Sequence, residues 1–164
     1  MADTYDKTIG GDDLMPSYDS GYVFTLRRRY NCKTVALGGE GNVTSGDTLQ
    51  LINIPADTVV DAVSCIKHTV EGGTLTIDVG DGSDTDGWLD GANLNSATTE
   101  RTALALAEAA PNTIVGYTSG KLYTAADTID ALFNNTADTA DFELVAECRR
   151  IKKGADTSNV LGST

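Results

Sequence analysis

Four aspartates spread through one glycine-rich stretch carry the strongest chemical signal in the sequence: Asp81, Asp84, Asp86 and Asp90. Carboxylates and backbone carbonyls in such a stretch can bind Ca²⁺, which takes about 6–8 oxygen ligands. The spacing lacks the Asp-x-Asp-x-Asp-Gly start and the final Glu of an EF-hand loop, and it is not part of a repeated nonapeptide. Because Asp beside Gly is also ordinary turn chemistry, the stretch suits either a calcium loop or a plain turn, and we assign no metal ligand to it.

The other residue types that could do chemistry lack the partners that catalysis needs. His68 is the only histidine, so a multi-histidine metal site is impossible, and its position inside a strand predicts a structural role. Ser64 is not in a GxSxG elbow. Cys32 follows three arginines, which could lower its pKa, but only the distant His68 could serve as its base. No carboxylate pair of the glycosidase kind can be assigned to named strands. We therefore predict no enzyme, no catalytic residue and no cofactor.

The aspartate stretch must be positioned by the strand that precedes it. Leu75, Ile77 and Val79 alternate with polar residues, and this period of two is typical of a strand with one face buried. The stretch then leads to Trp88, the only tryptophan. We expect Trp88 to return to an apolar core.

Short segments of this kind, separated by turn signals, run from residue 33 to residue 151. We predict strands over Lys33–Leu37, Thr48–Ile54, Thr58–Val70, Leu75–Val79, 113–118, 121–124, Asp127–Phe133 and Asp141–Ile151. Mixed alternation in the third predicts a bulge or a bend. We expect 89–99 to be loop, and 99–110 to be a short helix or a loop with one turn.

This pattern predicts an all-β protein: an antiparallel β-sandwich of about eight strands, jelly-roll-like, with an extended N-terminal arm and at most one short helix. The predicted parts are an N-terminal arm and first edge segment over 1–30, the sandwich over 31–153 and a flexible tail over 154–164.

Composition limits the partners. The chain has 164 residues and a net charge of −12, which repels phosphate backbones and excludes free nucleic acid as a ligand. No apolar run approaches the roughly 20 residues that span a bilayer, so we expect no membrane contact. Cys32, Cys65 and Cys148 are expected to be small buried hydrophobes, with a Cys65–Cys148 disulfide as the alternative.

Two features suggest contacts with other proteins. The arm contains Tyr5, Leu14, Met15, Tyr18 and Tyr22, which fits an arm ordered on a neighbouring subunit or a flexible terminus. Basic clusters lie at 27–29 and 149–153. They suit either charged edge strands that prevent edge pairing or a patch that contacts an acidic surface. Our hypothetical contact residues are the five apolar arm residues with Arg27, Arg28 and Arg29.

Several motifs resemble a known family: Gly46-Asp47-Thr48-Leu49-Gln50-Leu51, Ile54-Pro55-Ala56, 59–63, the 75–81 strand, Trp88-Leu89-Asp90-Gly91, Ile129-Asp130-Ala131 and 142–147. Over roughly 43–148 the chain is similar to capsid decoration (cement) and minor virion structural proteins of tailed bacteriophages. The arm lies outside this resemblance.

The resemblance implies a non-enzymatic virion protein, made in the host bacterial cytoplasm, that sits on the capsid surface as a homotrimer and bridges major capsid protein subunits. Two alternatives remain open at this stage. One is a receptor- or carbohydrate-binding virion module, which would use exposed Trp88, Tyr117 and Tyr123. The other is a head-completion or tail component.

Overall fold

Strands account for all the regular structure in the part of the chain that the computed structural model describes, residues 4–6, 23–33, 43–95, 101–103 and 116–151. These ranges contain ten strands and no helix. The strands are β1 (Thr4–Asp6), β2 (Val23–Asn31), β3 (Thr48–Ile54), β4 (Thr58–Thr69), β5 (Thr76–Asp81), β6 (Asp84–Asn93), β7 (Arg101–Ala103), β8 (Lys121–Tyr123), β9 (Asp127–Phe133) and β10 (Asp141–Arg150).

The strands form two sheets. The first sheet has the order β1-β3-β9-β5-β6, and the second has the order β2-β10-β4-β7, with β8 also paired to β4. All pairs are antiparallel except β1 with β3. Without the short edge strands β1 and β7, each sheet has four strands, β3-β9-β5-β6 and β2-β10-β4-β8.

The pairing is nested along the chain. Strand β2 pairs with β10, β3 with β9, β4 with β8, and β5 with β6. Successive pairs in this series alternate between the second and the first sheet. An eight-stranded chain folded back on itself in this way is a jelly roll, so the predicted antiparallel, jelly-roll-like sandwich is confirmed.

The core lies between the sheets because alternate residues of each long strand face inward. Phe142, Leu144, Ala146 and Cys148 of β10 are fully buried, as the alternation in the sequence predicts. The ring of Phe142 lies 6.1 Å from that of Phe133 in the first sheet, measured between centroids. This aromatic contact across the core joins the two layers.

The cysteines are part of this core. Cys32, Cys65 and Cys148 are free and buried, so the alternative of a Cys65–Cys148 disulfide is wrong. Burial raises the pKa of each thiol to about 12. Neutral, buried thiols behave as small hydrophobes.

The sequence predictions match some elements closely and fail at others. Strands β3 and β9 have the predicted bounds. Strand β4 contains the predicted bulge, because register shifts against β10 leave Asp61 and His68 without a partner in the ladder.

The prediction of loop over 89–99 is wrong over 89–93, which belong to β6. Only Gly82 and Ser83 form the turn, and Asp84 already pairs with Asp81. Register shifts in the β5–β6 pair accommodate the irregular glycine-rich sequence. The predicted strand Lys33–Leu37 lies outside the described residues except for Lys33. In the segment 99–110, predicted as a short helix or a loop, only 101–103 are described, and they form strand β7.

The predicted first edge segment is the edge strand of the second sheet, because β2 pairs along its length with β10 and has no other neighbour in the described sheet. Of the predicted arm, only 4–6 and 23–30 are described, and the predicted tail lies beyond the described residues. The proposed limits of the arm and tail therefore remain predictions.

One buried carboxylate fixes the loop between β9 and β10. Glu71 Oε2 accepts hydrogen bonds from the backbone N–H groups of Asp138, Thr139 and Ala140 at 3.2, 3.0 and 2.9 Å. Burial raises the pKa of Glu71, but these bonds and one from the Thr139 hydroxyl outweigh it and lower the pKa to about 2. The carboxyl of Asp138 is hydrogen-bonded to the ionised carboxylate of Glu71, and this bond, together with the repulsion between the two charges, raises the pKa of Asp138.

We expect Glu71→Gln to lower the free energy of unfolding at pH 7 by about 2 kcal/mol, the range for charged hydrogen bonds. Because the folded pKa is lowered, this stabilisation is present above the ordinary pKa of 4.5 and is lost as the pH falls toward 2. Urea unfolding of both proteins between pH 7 and pH 2 measures the difference in their free energies of unfolding. The raised pKa of Asp138 makes the change of this difference with pH smaller. The matched control, Glu147→Gln at an exposed position, should change stability little. A wild-type advantage that stays constant across that pH range would contradict the assignment.

Candidate interaction surface

The first candidate from the sequence is the aspartate stretch, and its Asp81 forms a buried polar cluster that links the two sheets. The carboxylate of Asp81, 1% exposed, lies at the end of β5 and accepts five hydrogen bonds. The donors are Ser83 N (2.9 Å), Asp84 N (3.2 Å), Tyr117 Oη (3.1 Å), Lys121 Nζ (2.5 Å) and Tyr123 Oη (2.7 Å). The first two bonds make the turn, and the others reach the segment around β8.

The charges in this cluster stabilise each other. Burial raises the pKa of Asp81, but the bonds from Lys121 and Tyr123 dominate and hold the pKa below its ordinary value. Burial lowers the pKa of Lys121, yet the bonds to Asp81 and Tyr117 leave it raised. The ammonium also lies 4.3 Å from the centroid of the Tyr117 ring, at cation–π distance. Asp81 and Lys121 are therefore an ion pair that joins β5 to β8.

This geometry favours turn chemistry over a calcium loop. Both oxygens of Asp81 are engaged by protein donors, so this carboxylate offers no free ligand. Asp84 has a raised pKa because its carboxyl is hydrogen-bonded to that of Asp86. Among the described residues, no group of three or more His, Cys, Asp or Glu side chains is placed to hold a metal ion.

The aromatic residues beside the cluster are unsuited to stacking on a sugar. Trp88 is completely buried, as predicted, and donates from Nε1 to Tyr123 Oη at 3.3 Å. Tyr123 is buried as well. Tyr117 packs its ring edge-on against Trp88, with centroids 5.0 Å apart. The carbohydrate-binding alternative required these three aromatic rings to be exposed for stacking on a sugar, and they are not.

The arginine cluster of β2 is engaged within the chain. Arg29 binds Asp141 with two parallel hydrogen bonds, Nε to Oδ1 at 2.8 Å and Nη2 to Oδ2 at 2.6 Å. The bonds from Arg29 hold the pKa of Asp141 below its ordinary value. Arg27 Nη2 lies 2.9 Å from Glu143 Oε2. Both arginine side chains are still 57% exposed, so they remain accessible to a partner.

The second basic cluster is engaged in a similar way. Arg149 Nε lies 3.0 Å from Asp61 Oδ1, and residues 152 and 153 lie beyond the described residues.

His68 Nε2 is 3.5 Å from Glu143 Oε2, next to Arg27. That position fits the predicted structural role of His68 on the outside of the second sheet.

The predicted contact residues are only partly brought together. Arg27 and Arg29 lie side by side on one face of β2, whereas Arg28 alternates to the other. Tyr5 pairs through its backbone with Leu49 of β3. The remaining predicted contacts, Leu14, Met15, Tyr18 and Tyr22, lie outside the described residues.

Acidic and basic residues are distributed unequally between the sheets. The strands of the first sheet contain eight acidic residues and no basic one. The strands of the second sheet contain eight lysines and arginines and four acidic residues. Sequence reasoning missed this asymmetry because it depends on which strands share a sheet.

Fold and site together define the class of the protein: a jelly-roll domain whose polar groups stabilise the fold. No protein-family model matches the chain, and no curated protein matches its sequence. No helix in the described residues is long and apolar enough to cross a bilayer.

Two solved structures share the fold. A chain of the capsid of Ralstonia phage GP4 aligns with a TM-score of 0.50 at 16% identity, covering 90% of this chain and 99% of that one. A chain of the acidic stable capsid of Helicobacter pylori bacteriophage KHP30 aligns with a TM-score of 0.50 at 13% identity, covering 81% of this chain and 90% of that one. The fold is thus one found in phage capsids, the class that the sequence motifs resemble.

We expect Asp81→Asn to destabilise the fold by about 3 kcal/mol at pH 7, because it leaves Lys121 in a partly buried site without its counter-ion. Since the folded pKa of Asp81 is lowered, the stabilisation is lost as the pH falls below the ordinary value. Chemical unfolding measures both effects. Asp86→Asn is the control in the same hairpin, and it should be neutral or slightly stabilising because it relieves repulsion with Asp84. Equal losses in the two variants would contradict the ion-pair role.

We expect Gly87→Ala to cost about 1–3 kcal/mol, the range for overpacking. A Cβ at Gly87 would lie 2.4 Å from Tyr117 Cε2, and the Tyr117 ring is held by its bonds to Asp81 and Lys121. Gly82→Ala is the matched control, since a Cβ there meets nothing within 4 Å. Thermal unfolding of both variants tests the prediction, and an equal shift would overturn it.

Proposed function

We propose that this chain is a non-enzymatic virion structural protein that decorates a phage capsid and stabilises it by bridging major capsid protein subunits. The observation that carries the proposal is the jelly roll itself. Its likeness to chains of two phage capsids extends over 81% and 90% of this chain. The motifs that resemble decoration proteins lie within the same body.

The rigidity of this fold suits a structural role in a shell. Side chains from both sheets fill a continuous apolar core, and the Asp81–Lys121 pair and Glu71 fix the loops at its ends. A rigid body loses little conformational entropy on docking, so more of its contact energy appears as affinity. Many copies on one shell then add up contacts that are individually weak.

The residues that sequence reasoning considered for catalysis have other roles in the fold. Asp81 is saturated by hydrogen bonds, and His68 lies beside a carboxylate and an arginine on an outer face. The thiols are buried and have raised pKa values. These positions support a protein that works by binding.

In this proposal the chain assembles as a homotrimer on the capsid surface. The apolar arm and Arg27, Arg28 and Arg29 make the contacts with the major capsid protein. Arg27 and Arg29 can take part while keeping their internal partners because more than half of each side chain is exposed.

Copy number separates decoration from a head-completion or tail role. Quantitative mass spectrometry of purified particles of the encoding phage should find hundreds of copies of the chain per particle. A dozen copies or fewer would assign it to a connector or fibre, and absence from the particle would overturn the proposal.

We expect deletion of residues 1–22 to abolish binding to purified capsids while leaving the sandwich folded. The deletion removes only the three-residue strand β1 from the described sheets. Co-sedimentation with capsids measures binding, and the circular-dichroism spectrum and melting temperature check the fold. Deletion of residues 154–164 is the control and should bind as the full chain does. Full capsid occupancy by the chain lacking 1–22 would reject the role of the arm.

A further inference from the structure

The large apolar side chains that are exposed in the described residues gather on one surface. They are Val23, Leu122 and Ile151, with 74, 48 and 43% of their area accessible. Val23 is in register with Arg149 of β10, Arg149 with Val59 of β4, and Val59 with Leu122 of β8. Cross-strand partners point to the same side of a sheet. Val23, Arg149, Val59 and Leu122 therefore form one row across the outer face of the second sheet. Val23 and Leu122 are exposed at its two ends, whereas Val59 is buried and Arg149 lies between Val23 and Val59. The three apolar members are called the apolar row.

Ile151 extends the apolar row at its end. It follows β10 two residues after Arg149, so alternation places it on the same side as the row. Its N–H bonds to the carbonyl of Asp57, immediately before β4. Three separate segments of the chain thus bring their exposed apolar residues to one end of this face.

The same face also contains a depression of about 320 Å³, lined by Thr25, Arg27, Ile66, Val145 and Glu147. Val145 is buried although it points outward between Arg27 and Ser64. The depression therefore has an apolar floor and a charged rim. Val145 is four residues from Arg149 along β10, so the depression lies roughly 13 Å from the apolar row.

Charge also distinguishes this face. Arg27, Arg29 and Arg149 each pair with a carboxylate of the same sheet, so most of its charge is neutralised internally. The first sheet has only acidic charged residues in its strands. In a chain of net charge −12, two copies repel one another least when they approach through the outer face of the second sheet.

We propose that the outer face of the second sheet binds the same face of a second copy of this chain about a two-fold axis. Projecting apolar side chains of one copy then enter the depression of the other, and the contact is reciprocal, as an isologous interface requires. The presence of both the projecting row and an apolar depression on one face is what selects a second copy as the occupant. This contact goes beyond the proposed capsid role. It overlaps the proposed capsid contact at Arg27, which lines the depression, so one copy uses this face for one of the two contacts at a time.

The size of the face sets the expected strength. Three strands about 30 Å long and the short β8, about 10 Å long, lie about 4.8 Å apart and cover roughly 480 Å². Standard interfaces bury about 800 Å² per partner. The pairing should therefore be weak, with a Kd on the order of 10–100 μM, and become populated where copies are concentrated.

Sedimentation equilibrium of the full chain at neutral pH, from about 5 μM to 1 mM, tests the proposal. We expect pairwise association in the wild type, between monomers or between larger oligomers if the chain also forms trimers. Val23→Thr combined with Leu122→Gln should weaken the pairwise step at least ten-fold. Both substitutions are at exposed strand positions, so the melting temperature should be nearly unchanged.

Leu132→Gln is the matched control, because Leu132 pairs with Asp78 on the outer face of the first sheet. It should associate as the wild type does. The proposal is overturned if the wild type shows no pairwise step up to 1 mM, or if the double variant pairs as tightly as the wild type. Capsid co-sedimentation of the double variant separates the two proposals. Loss of pairing with retained capsid binding supports both, whereas loss of capsid binding with retained pairing overturns the pairing proposal and assigns Val23 and Leu122 to the capsid contact.

Discussion

Packing between the inner faces of the two sheets is the constraint on which the rest of the structure depends. Each long strand alternates, so the residues that fill the core also decide which residues face outward. Phe133 and Phe142 meet across the layers, and every polar feature described above lies at the ends or on the outside of that contact. A shift of β10 by one residue would bury Glu143 and Glu147 and expose Phe142, so the register of β10 is strongly fixed by burial alone.

The buried Asp81–Lys121 pair closes one end of this core. Buried ion pairs stabilise a fold only when their remaining hydrogen-bonding capacity is filled. Here two tyrosine hydroxyls and two backbone N–H groups complete the shell around Asp81. The cluster also makes the first sheet dependent on β8 of the second, so the two layers are connected by directional bonds as well as by apolar contact.

Local pattern was enough to predict much of the fold. Strands β3 and β9 are bounded by turn residues, and their bounds were predicted correctly, although the register shift at Leu51 in β3 was not predicted. Strand β6 was missed because Gly87 and Gly91 interrupt its alternation, and its pairing depends on β5 and on the Tyr117 ring that covers Gly87. The partners of Asp81 could not be predicted, since Lys121 and Tyr123 are about forty residues away and only the nested pairing brings them near. Of the hypothetical contact residues, the arginines were recognised from composition, but their internal acidic partners depend on the β2–β10 register.

The unequal distribution of charge follows from the same topology and bears on how the molecule can assemble. Nested pairing places β2 beside β10, which collects two basic clusters from opposite ends of the sequence on one sheet. The acidic residues of β10 pair with Arg27 and Arg29. Burying this face against a partner therefore removes fewer unpaired charges from water than burying an unpaired basic surface would. The strands of the first sheet contain no lysine or arginine, so the acidic side chains on its outer face have no basic partner within that sheet. A body with one acidic face and one nearly neutral, partly apolar face has a built-in orientation, which favours one arrangement of the molecule among its neighbours in an assembly.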